Sequence, residues 1–198
     1  MRMIGVVLAG GESRRFGSPK AFAKYDGMPF YRIVLNQLQT IVNETAIVTK
    51  KDLIENFYTC PSDHVTLLLD HESYVGMGPL AGIYSAMEEI KGDYYVIVAC
   101  DMPFVKEEVL MKLLEEMKKH PKAMAVVPVH HGRIQPLCAI YHASCSNVIK
   151  DNLRLGNKRM TDLLDEIKVH YITFDADQHY FVNINTNEEY EIVQREID

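Results

Sequence analysis

Apolar residues recur along this chain at two spacings, one typical of buried strands and the other typical of amphipathic helices. Short apolar runs predict strands over residues 4–8, 46–49, 65–69, 94–99 and 123–127. Apolar positions three or four residues apart predict helices over residues 29–39, 79–90 and 106–119. Strands that alternate with helices in this way predict an α/β fold, a Rossmann-like three-layer α/β/α arrangement with a mostly parallel sheet.

The last third of the sequence has shorter segments and more turn residues. It predicts a turn at 130–133, strands at 136–141, 169–174 and 181–184, a helix over 147–167 with a break near Gly156, and a closing helix over 188–196. No repeat, low-complexity run or linker separates these segments from the rest. We therefore predict a single domain over residues 1–198, with a core of residues 1–128 and a small C-terminal lobe of residues 129–198.

The first predicted strand ends in a glycine-rich loop that carries cations. Gly10 and Gly11 permit unusual φ angles and a close approach of the backbone, and Arg14, Arg15 and Lys20 follow them. Backbone N–H groups of such a loop orient phosphate oxygens, and the cations neutralise their charge. The Walker and dinucleotide-binding motifs are both absent, because neither Gly-Lys-Ser/Thr nor G-x-G-x-x-G occurs here. The loop therefore predicts a polyphosphate site of another kind.

Two aspartates follow predicted strands at the edge where a parallel sheet binds its ligands. Asp70 follows the strand over 65–69, and Asp101 follows the strand over 94–99. Because ligands lie beyond the carboxyl ends of such strands, we expect both carboxylates near the Gly10 loop. Asp101 is a candidate Mg²⁺ ligand, with a helix N-cap as the alternative, whereas Asp70 is equally compatible with a turn-forming role.

The composition argues against several classes of function. A formal net charge of −6 argues against non-specific binding to nucleic acid or to an anionic membrane. The four cysteines form no C-x-x-C pair, and the eight histidines show no spacing typical of a metal site. The charged residues between positions 115 and 119 are expected to form a solvated helix face. With no signal peptide and no long apolar stretch, a cytoplasmic protein is expected.

Residues 8–21, LAGGESRRFGSPKA, closely resemble the signature loop of the nucleotidyltransferases. Together with GPLAG at 78–82 and FVNINT at 181–186, they are most similar to the molybdenum cofactor guanylyltransferases of that superfamily. The resemblance extends from Met3 to about Tyr190. It implies a Mg²⁺-dependent transfer of GMP from GTP to a molybdopterin-type cofactor, with release of pyrophosphate. It also implies that the core binds the nucleotide and that the C-terminal lobe lies on the acceptor side.

The same resemblance implies roles for individual residues. Lys20, Arg15 and Asp101 correspond to catalytic residues, and Asp101 corresponds to the metal ligand. The residues implied to bind nucleotide are Leu8, Ala9, Gly10, Gly11, Lys20, Asp70, Gly78 and Asp101. The acceptor-binding residues implied are Gln135, Asn183 and Asn185. The two asparagines would share one face of a strand, and a role in a β-bulge or turn is an equal alternative for them. The sequence departs from the family at Asn187, where a proline is usual.

Two other functions are compatible with the loop. One is a cytidylyltransferase or a sugar-phosphate nucleotidyltransferase of the same fold, and the other is a non-catalytic nucleotide-binding chaperone for the cofactor. The presence of both Lys20 and Asp101 favours an enzyme. The expected partners are GTP and the molybdopterin-type cofactor, with other cofactor-biosynthesis proteins and acceptor molybdoenzymes as further candidates. Neither nucleic acid nor a membrane is expected.

Overall fold

A computed structural model describes residues 1–11, 16–57, 65–174, 179–184, 186 and 189–190. Within these ranges the strands are β1 Met3–Leu8, β2 Lys24–Tyr25, β3 Met28–Pro29, β4 Glu44–Thr49, β5 Val65–Leu69, β6 Tyr94–Ala99, β7 Ala125–His130, β8 Arg133–Ile134, β9 Cys138–His142 and β10 Val169–Thr173. The α-helices are α1 Phe30–Gln39, α2 Pro79–Glu89, α3 Glu107–Lys119, α4 Cys145–Leu155 and α5 Met160–Glu166. Short 3₁₀ turns cover Lys20–Phe22, Ile54–Phe57, Glu72–Tyr74 and His179–Phe181.

The main sheet has the strand order β10-β7-β9-β6-β1-β4-β5, with β8 beside β7. Parallel pairing joins β1 to β4, β1 to β6, β4 to β5 and β10 to β7. Strand β9 is antiparallel to both β6 and β7, because the chain reverses between β7 and β9 and inserts β9 between two parallel strands. The carboxyl ends of β5, β4, β1 and β6 therefore lie along one edge, and the prediction of a mostly parallel sheet is confirmed.

Alternate residues of the central strands face two separate apolar cores, as the pleat of a strand requires. In β1, Val7 packs in the core that includes α1 and α3, whereas Val6 packs in the core that includes α2, α4 and α5. Burial of both faces explains why β1 and β6 have continuous apolar sequences. Helices therefore cover the sheet on both sides, which confirms the predicted three-layer α/β/α fold.

Most of the predicted elements are confirmed. Strands β5 and β6 begin and end at the predicted residues, and the predicted break at Gly156 separates α4 from α5, where this glycine adopts a φ of 82°. Strands β9 and β10 add to the same sheet as the preceding strands, and the division between core and lobe stays a prediction. No helix in the described part of the chain has the length and apolar character needed to cross a bilayer.

The prediction of a strand over residues 181–184 is wrong. The described residues of this segment form the end of a 3₁₀ turn and then an irregular stretch outside both sheets. Phe181 and Ile184 are both buried although they lie three positions apart, a spacing that the period-two geometry of a strand does not give. Most of the closing helix predicted over 188–196 lies outside the described residues.

Candidate active site

A cleft of about 470 Å³ opens at the carboxyl ends of β1, β4 and β6. This is the position at which parallel α/β sheets bind their ligands. The described residues that line it are Leu8, Ala9, Gly10, Gly11, Pro19, Lys20, Ala21, Val48, Asp70, Gly76, Gly78, Pro79, Gly82, Ala99, Cys100, Asp101 and Leu137. Every residue that the sequence predicted to bind nucleotide is part of this lining, so the predicted set forms one continuous surface.

The glycine pair at the end of β1 leaves open space in front of the backbone. The Ala9 amide donates to the Val48 carbonyl (2.8 Å), so the pairing of β1 with β4 continues to the start of the loop. A Cβ added at Gly10 would lie 3.7 Å from the backbone of Thr49, and one added at Gly11 would meet no atom within 4 Å. Neither glycine has a positive φ, so the expectation of unusual φ angles here is wrong. The pair contributes instead an absence of side chains, which lets a ligand approach the backbone.

Lys20 and Asp101 form an ion pair in the cleft, with 3.1 Å between Nζ and Oδ2. Their side chains are 13% and 24% exposed, so water screens this pair less than it screens a surface pair. Lys20 begins a 3₁₀ turn after the glycine loop, and Asp101 follows β6. The sequence predicted that both would lie on one rim, and the structure adds that the two charges are in contact.

Backbone hydrogen bonds fix Asp101 independently of its carboxylate. The Cys100 amide donates to the Leu8 carbonyl (3.0 Å), which extends the pairing of β6 with β1 to this point. The Asp101 carbonyl accepts a hydrogen bond from the Ile184 amide (3.0 Å). Burial raises the pKa of the Cys100 thiol above its usual range, which disfavours the thiolate. The carboxylate is therefore the reactive group that this turn presents.

Asp70 contributes a second carboxylate to the lining, directly after β5. Partial burial raises the pKa of this carboxyl group, and a backbone hydrogen bond from Gly76 acts in the opposite direction. An added Cβ at Gly82 would lie 3.7 Å from Asp70 Oδ1, so α2 runs close to this carboxylate. A half-buried carboxylate can accept hydrogen bonds from a ligand with less competition from water than an exposed one.

The start of α2 lines the cleft together with Asp70. Gly78 precedes the helix with φ 78° and ψ −162°, a conformation adopted almost solely by glycine. Pro79 occupies the first turn, where its missing N–H costs nothing. One turn later, a Cβ at Gly82 would lie 3.0 Å from Leu8 Cδ2. The second glycine of GPLAG therefore lets α2 pack closely on β1, and it also lines the cleft.

Ser85 positions the segment that carries Asp70, and the sequence reasoning missed it. Its Oγ accepts a hydrogen bond from the His71 amide (2.7 Å) and donates one to the Ala81 carbonyl (2.7 Å). The side chain is buried, so both bonds are protected from water. They attach the residue after Asp70 to α2. The available signal was a serine among the apolar residues of a helix that is buried over most of its length.

Gln135 and Asn183, two of the three predicted acceptor-binding residues, are not among the described residues that line the cleft. The backbone N–H of Gln135 donates to the Pro128 carbonyl (2.8 Å), and Leu137, two positions further on, does line the cleft. Asn183 is exposed and precedes Ile184, whose amide bonds to Asp101. The segment that carries Asn183 therefore reaches the edge of the cleft. The acceptor role of Gln135 and Asn183 stays a prediction.

Arg14, Arg15 and Asn185 lie outside the described residues. Residues 181–184 do not form a strand, so strand geometry gives no reason to pair Asn183 with Asn185. Within the described residues, no cluster of three potential metal-binding side chains includes Asp101. Any metal held there would take most of its ligands from substrate and water.

Several known proteins are similar to this chain in sequence. The family model for the MobA-like NTP transferase domain matches residues 5–171. A probable molybdenum cofactor guanylyltransferase of Geobacillus sp. (strain WCH70) is 41% identical over 193 residues, which cover 96% of this chain and 97% of that protein. The protein of the same description from Bacillus subtilis (strain 168) is 37% identical over 197 residues, which cover 98% and 96% of the two chains.

A solved structure extends this agreement to the fold. The crystal structure of molybdopterin-guanine dinucleotide biosynthesis protein A from Archaeoglobus fulgidus matches with a TM-score of 0.82 and 26% sequence identity, and the match covers 98% of each chain. The chain therefore belongs to the MobA-like NTP transferase family, among the molybdenum cofactor guanylyltransferases.

Proposed function

We propose that this protein transfers GMP from GTP to a molybdenum cofactor and releases pyrophosphate. The observation that carries the proposal is the Lys20–Asp101 pair, at 3.1 Å, inside a cleft that is also lined by Gly10, Gly11 and Asp70. A cation, a carboxylate and an open glycine backbone are the groups that a nucleoside triphosphate site needs. The names of the relatives supply the identity of the nucleotide and the acceptor class.

In the proposed reaction, a terminal phosphate oxygen of the pterin acceptor attacks the α-phosphorus of GTP in line. The bond between that phosphorus and the oxygen bridging to the β-phosphate breaks, and its electron pair leaves with pyrophosphate. A phosphomonoester has a second pKa of about 6, so the acceptor is already largely dianionic near neutral pH. No general base is therefore required, which agrees with the absence of histidine from the described lining.

The protein contributes positioning and charge in this scheme. The backbone at Gly10 and Gly11 receives the triphosphate, and Lys20 turns from Asp101 to the phosphate oxygens, since its ammonium is a point charge on a flexible stem. We propose Arg15 as a second cation on the triphosphate, by family resemblance alone. Asp70 accepts hydrogen bonds from the nucleoside, and Gln135, Asn183 and Asn185 are proposed to contact the pterin.

We further propose that Asp101 binds Mg²⁺ when GTP is present. The donor set fits this ion, because Mg²⁺ commonly takes one or two protein carboxylates and completes its shell with phosphate oxygens and water. Mg²⁺ would neutralise charge that develops on the leaving pyrophosphate. Asp101 lies on the cleft surface next to Lys20, so the carboxylate can exchange one cationic partner for another as substrate binds.

We propose that the reaction takes place in the cytoplasm, which is a reducing compartment. Cys100, Cys138 and Cys145 are free thiols and are buried. Disulfides are rare in reducing compartments, and thiols that form no bridge are consistent with one.

Nucleotide selectivity tests the proposed function. The purified protein is mixed with Mg²⁺, molybdenum cofactor and one of GTP, CTP, ATP or UTP, and pyrophosphate release is followed. We expect turnover with GTP and at least about tenfold less with each of the others, since one discriminating hydrogen bond to a charged group contributes about 1.5–3 kcal/mol. Faster turnover with CTP would identify a cytidylyltransferase. Tight nucleotide binding without pyrophosphate release would identify a non-catalytic module.

Asp70→Asn should weaken GTP binding while slightly stabilising the fold near neutral pH. Loss of the charged acceptor is expected to weaken binding roughly 10–100-fold. Burial raises the pKa of Asp70 above that of the unfolded chain, so protonation favours the folded state. That stabilisation is present below the unfolded pKa and is lost as pH rises through the folded pKa. Asparagine carries no charge and therefore avoids the cost of burying an ionised carboxylate near neutral pH.

The measurements are calorimetric GTP titration and thermal unfolding, each near neutral pH and in mild acid. Asp151→Asn on the exposed surface of α4 is the matched control. Wild-type affinity for GTP should fall in mild acid, whereas that of Asp70→Asn should respond less. Unchanged GTP affinity in Asp70→Asn would remove Asp70 from the binding site.

A further inference from the structure

Three side chains with metal-binding atoms converge at the edge of the sheet formed by the amino ends of the parallel strands, opposite the edge that holds the cleft. They are Glu116 and His120 of α3 and His170 of β10, and their ligand atoms all lie within 4.8 Å of one another. The cleft occupies the carboxyl ends of the parallel strands, whereas His170 is the second residue of β10 and lies at its amino end. The chain passes from β6 into α3 and then into β7. The last turn of α3 therefore lies near the amino ends of β7 and β10, away from the cleft.

Two of the three separations between the ligand atoms are close to those around a small cation. Zn²⁺ binds histidine nitrogen and carboxylate oxygen at about 2.0–2.2 Å in tetrahedral geometry, which places neighbouring ligand atoms about 3.4 Å apart. His170 Nε2 lies 3.2 Å from Glu116 Oε2, and His120 Nδ1 lies 3.6 Å from the same oxygen. One carboxylate oxygen therefore has both imidazoles at about the distance that a shared ion requires.

The surroundings prepare Glu116 to act as a ligand. Lys119 Nζ binds the other carboxylate oxygen, Oε1, at 2.7 Å, which orients the group and leaves Oε2 directed at the histidines. This hydrogen bond is the main cause that lowers the pKa of the Glu116 carboxyl, with smaller contributions from His170 and His120. The side chain is 18% exposed, which makes Glu116 the least exposed of the four charged residues predicted to form a solvated face. The site also lies at the carboxyl end of α3, where the helix dipole favours a cation.

The two imidazole rings are stacked, with centroids 3.6 Å apart and planes inclined by 16°. An ion lies in the plane of each ring that coordinates it, so one ring must turn out of the stack before both nitrogens can bind. His120 has room to do this because its side chain is 43% exposed and it ends α3. His170 is 27% exposed and is positioned by the pairing of β10 with β7.

We propose that Glu116, His120 and His170 form a Zn²⁺ site that links the end of α3 to β10, with water in the fourth position. Two imidazoles and a carboxylate suit Zn²⁺ better than Mg²⁺ or Ca²⁺, which prefer oxygen ligands alone. The site is separate from the cleft and from the proposed Mg²⁺ ligand Asp101. Sequence spacing could not reveal it, because His170 lies 54 positions after Glu116.

The test is Zn²⁺ binding to the full chain, purified without a histidine tag and stripped with chelator. Calorimetry should show one site in the wild type, and Co²⁺ in place of Zn²⁺ should give the strong visible absorption of tetrahedral coordination. His120→Gln and His170→Gln should each weaken Zn²⁺ binding by at least about tenfold, since each removes one of only three protein ligands. His131→Asn is the matched control, because this exposed histidine has a positive φ that asparagine tolerates.

Thermal unfolding provides a second readout. Saturating Zn²⁺ should raise the unfolding temperature of the wild type and of His131→Asn, because an ion that binds only the folded state stabilises it. The rise should be absent in His120→Gln, which keeps the His170–Glu116 contact and is expected to fold. Equal Zn²⁺ affinity in the wild type and all three variants would overturn the proposal. So would a wild type without measurable binding, which would leave the trio as a hydrogen-bonded contact.

Discussion

Replacement of Lys20 by alanine should lower the rate of GMP transfer on the order of 100-fold while the protein still folds. Loss of one preorganised charge that stabilises the transition state typically costs about this factor. The ammonium contacts Asp101 in the free protein and is proposed to follow negative charge onto the leaving pyrophosphate. Its removal therefore affects a group whose interaction strengthens during the reaction.

The effect of Lys20→Ala on stability should be smaller. The Lys20–Asp101 pair is partly buried, and its loss should lower the free energy of unfolding by about 1–2 kcal/mol, between the values for surface and fully buried pairs. Lys24→Ala is the matched control, because Lys24 is an exposed cation nearby in the chain. Pyrophosphate release and thermal unfolding would be measured on both variants. A large fall in unfolding temperature with normal turnover would show that Lys20 is structural.

The sequence was sufficient to predict the fold because local patterns dominate in this chain. Strands β1 and β6 are buried on both faces and therefore read as continuous apolar runs. Helices α1 and α3 have an apolar face of helical period, and α3 begins with acidic and ends with basic residues. Glycine marks the end of α4 through a left-handed conformation. Each of these signals resides within a few neighbouring residues.

The rim of the candidate site was predictable for a related reason. In a parallel sheet, the residues that follow the strands lie along one edge, so Gly10, Asp70 and Asp101 were expected at the same edge once the strands were assigned. The contact between Lys20 and Asp101 was not predictable, because it depends on how the chain folds back after the glycine loop. The role of Ser85 depends likewise on a hydrogen bond to the distant residue His71.

The failures have a common origin in long-range packing. Alternating polar and apolar residues after Phe181 are typical of a strand, yet Ile184 fills an apolar cluster with Phe16 and Phe30 and donates its amide to Asp101. Tertiary contacts therefore outweigh local preference in this segment. The contact between Glu116 and His170 could not be predicted from local sequence either, because it depends on the pairing of β10 with β7.

Replacement of Asp101 by asparagine should abolish most GMP transfer and leave the fold intact. The backbone at this position is held by the Cys100–Leu8 and Ile184–Asp101 hydrogen bonds, neither of which uses the carboxylate. Asparagine keeps the size and one acceptor oxygen but removes the charge that Mg²⁺ prefers. We expect turnover to fall by roughly 10²–10³-fold, the usual consequence of losing one strong electrostatic contribution to the transition state.

GTP affinity should change much less, and this difference separates a metal ligand from a binding residue. Without the Asp101 charge, Lys20 still lines the cleft and remains available to the triphosphate, as does the backbone at Gly10 and Gly11. Pyrophosphate release and GTP affinity would be measured across a Mg²⁺ titration for the wild type, Asp101→Asn and the surface control Asp151→Asn. Partial recovery of turnover at high Mg²⁺ would support weakened metal binding at Asp101. Near-normal turnover at low Mg²⁺ would show that another group holds the metal, and Asp70, the second carboxylate among the described lining residues, would then be the residue to test.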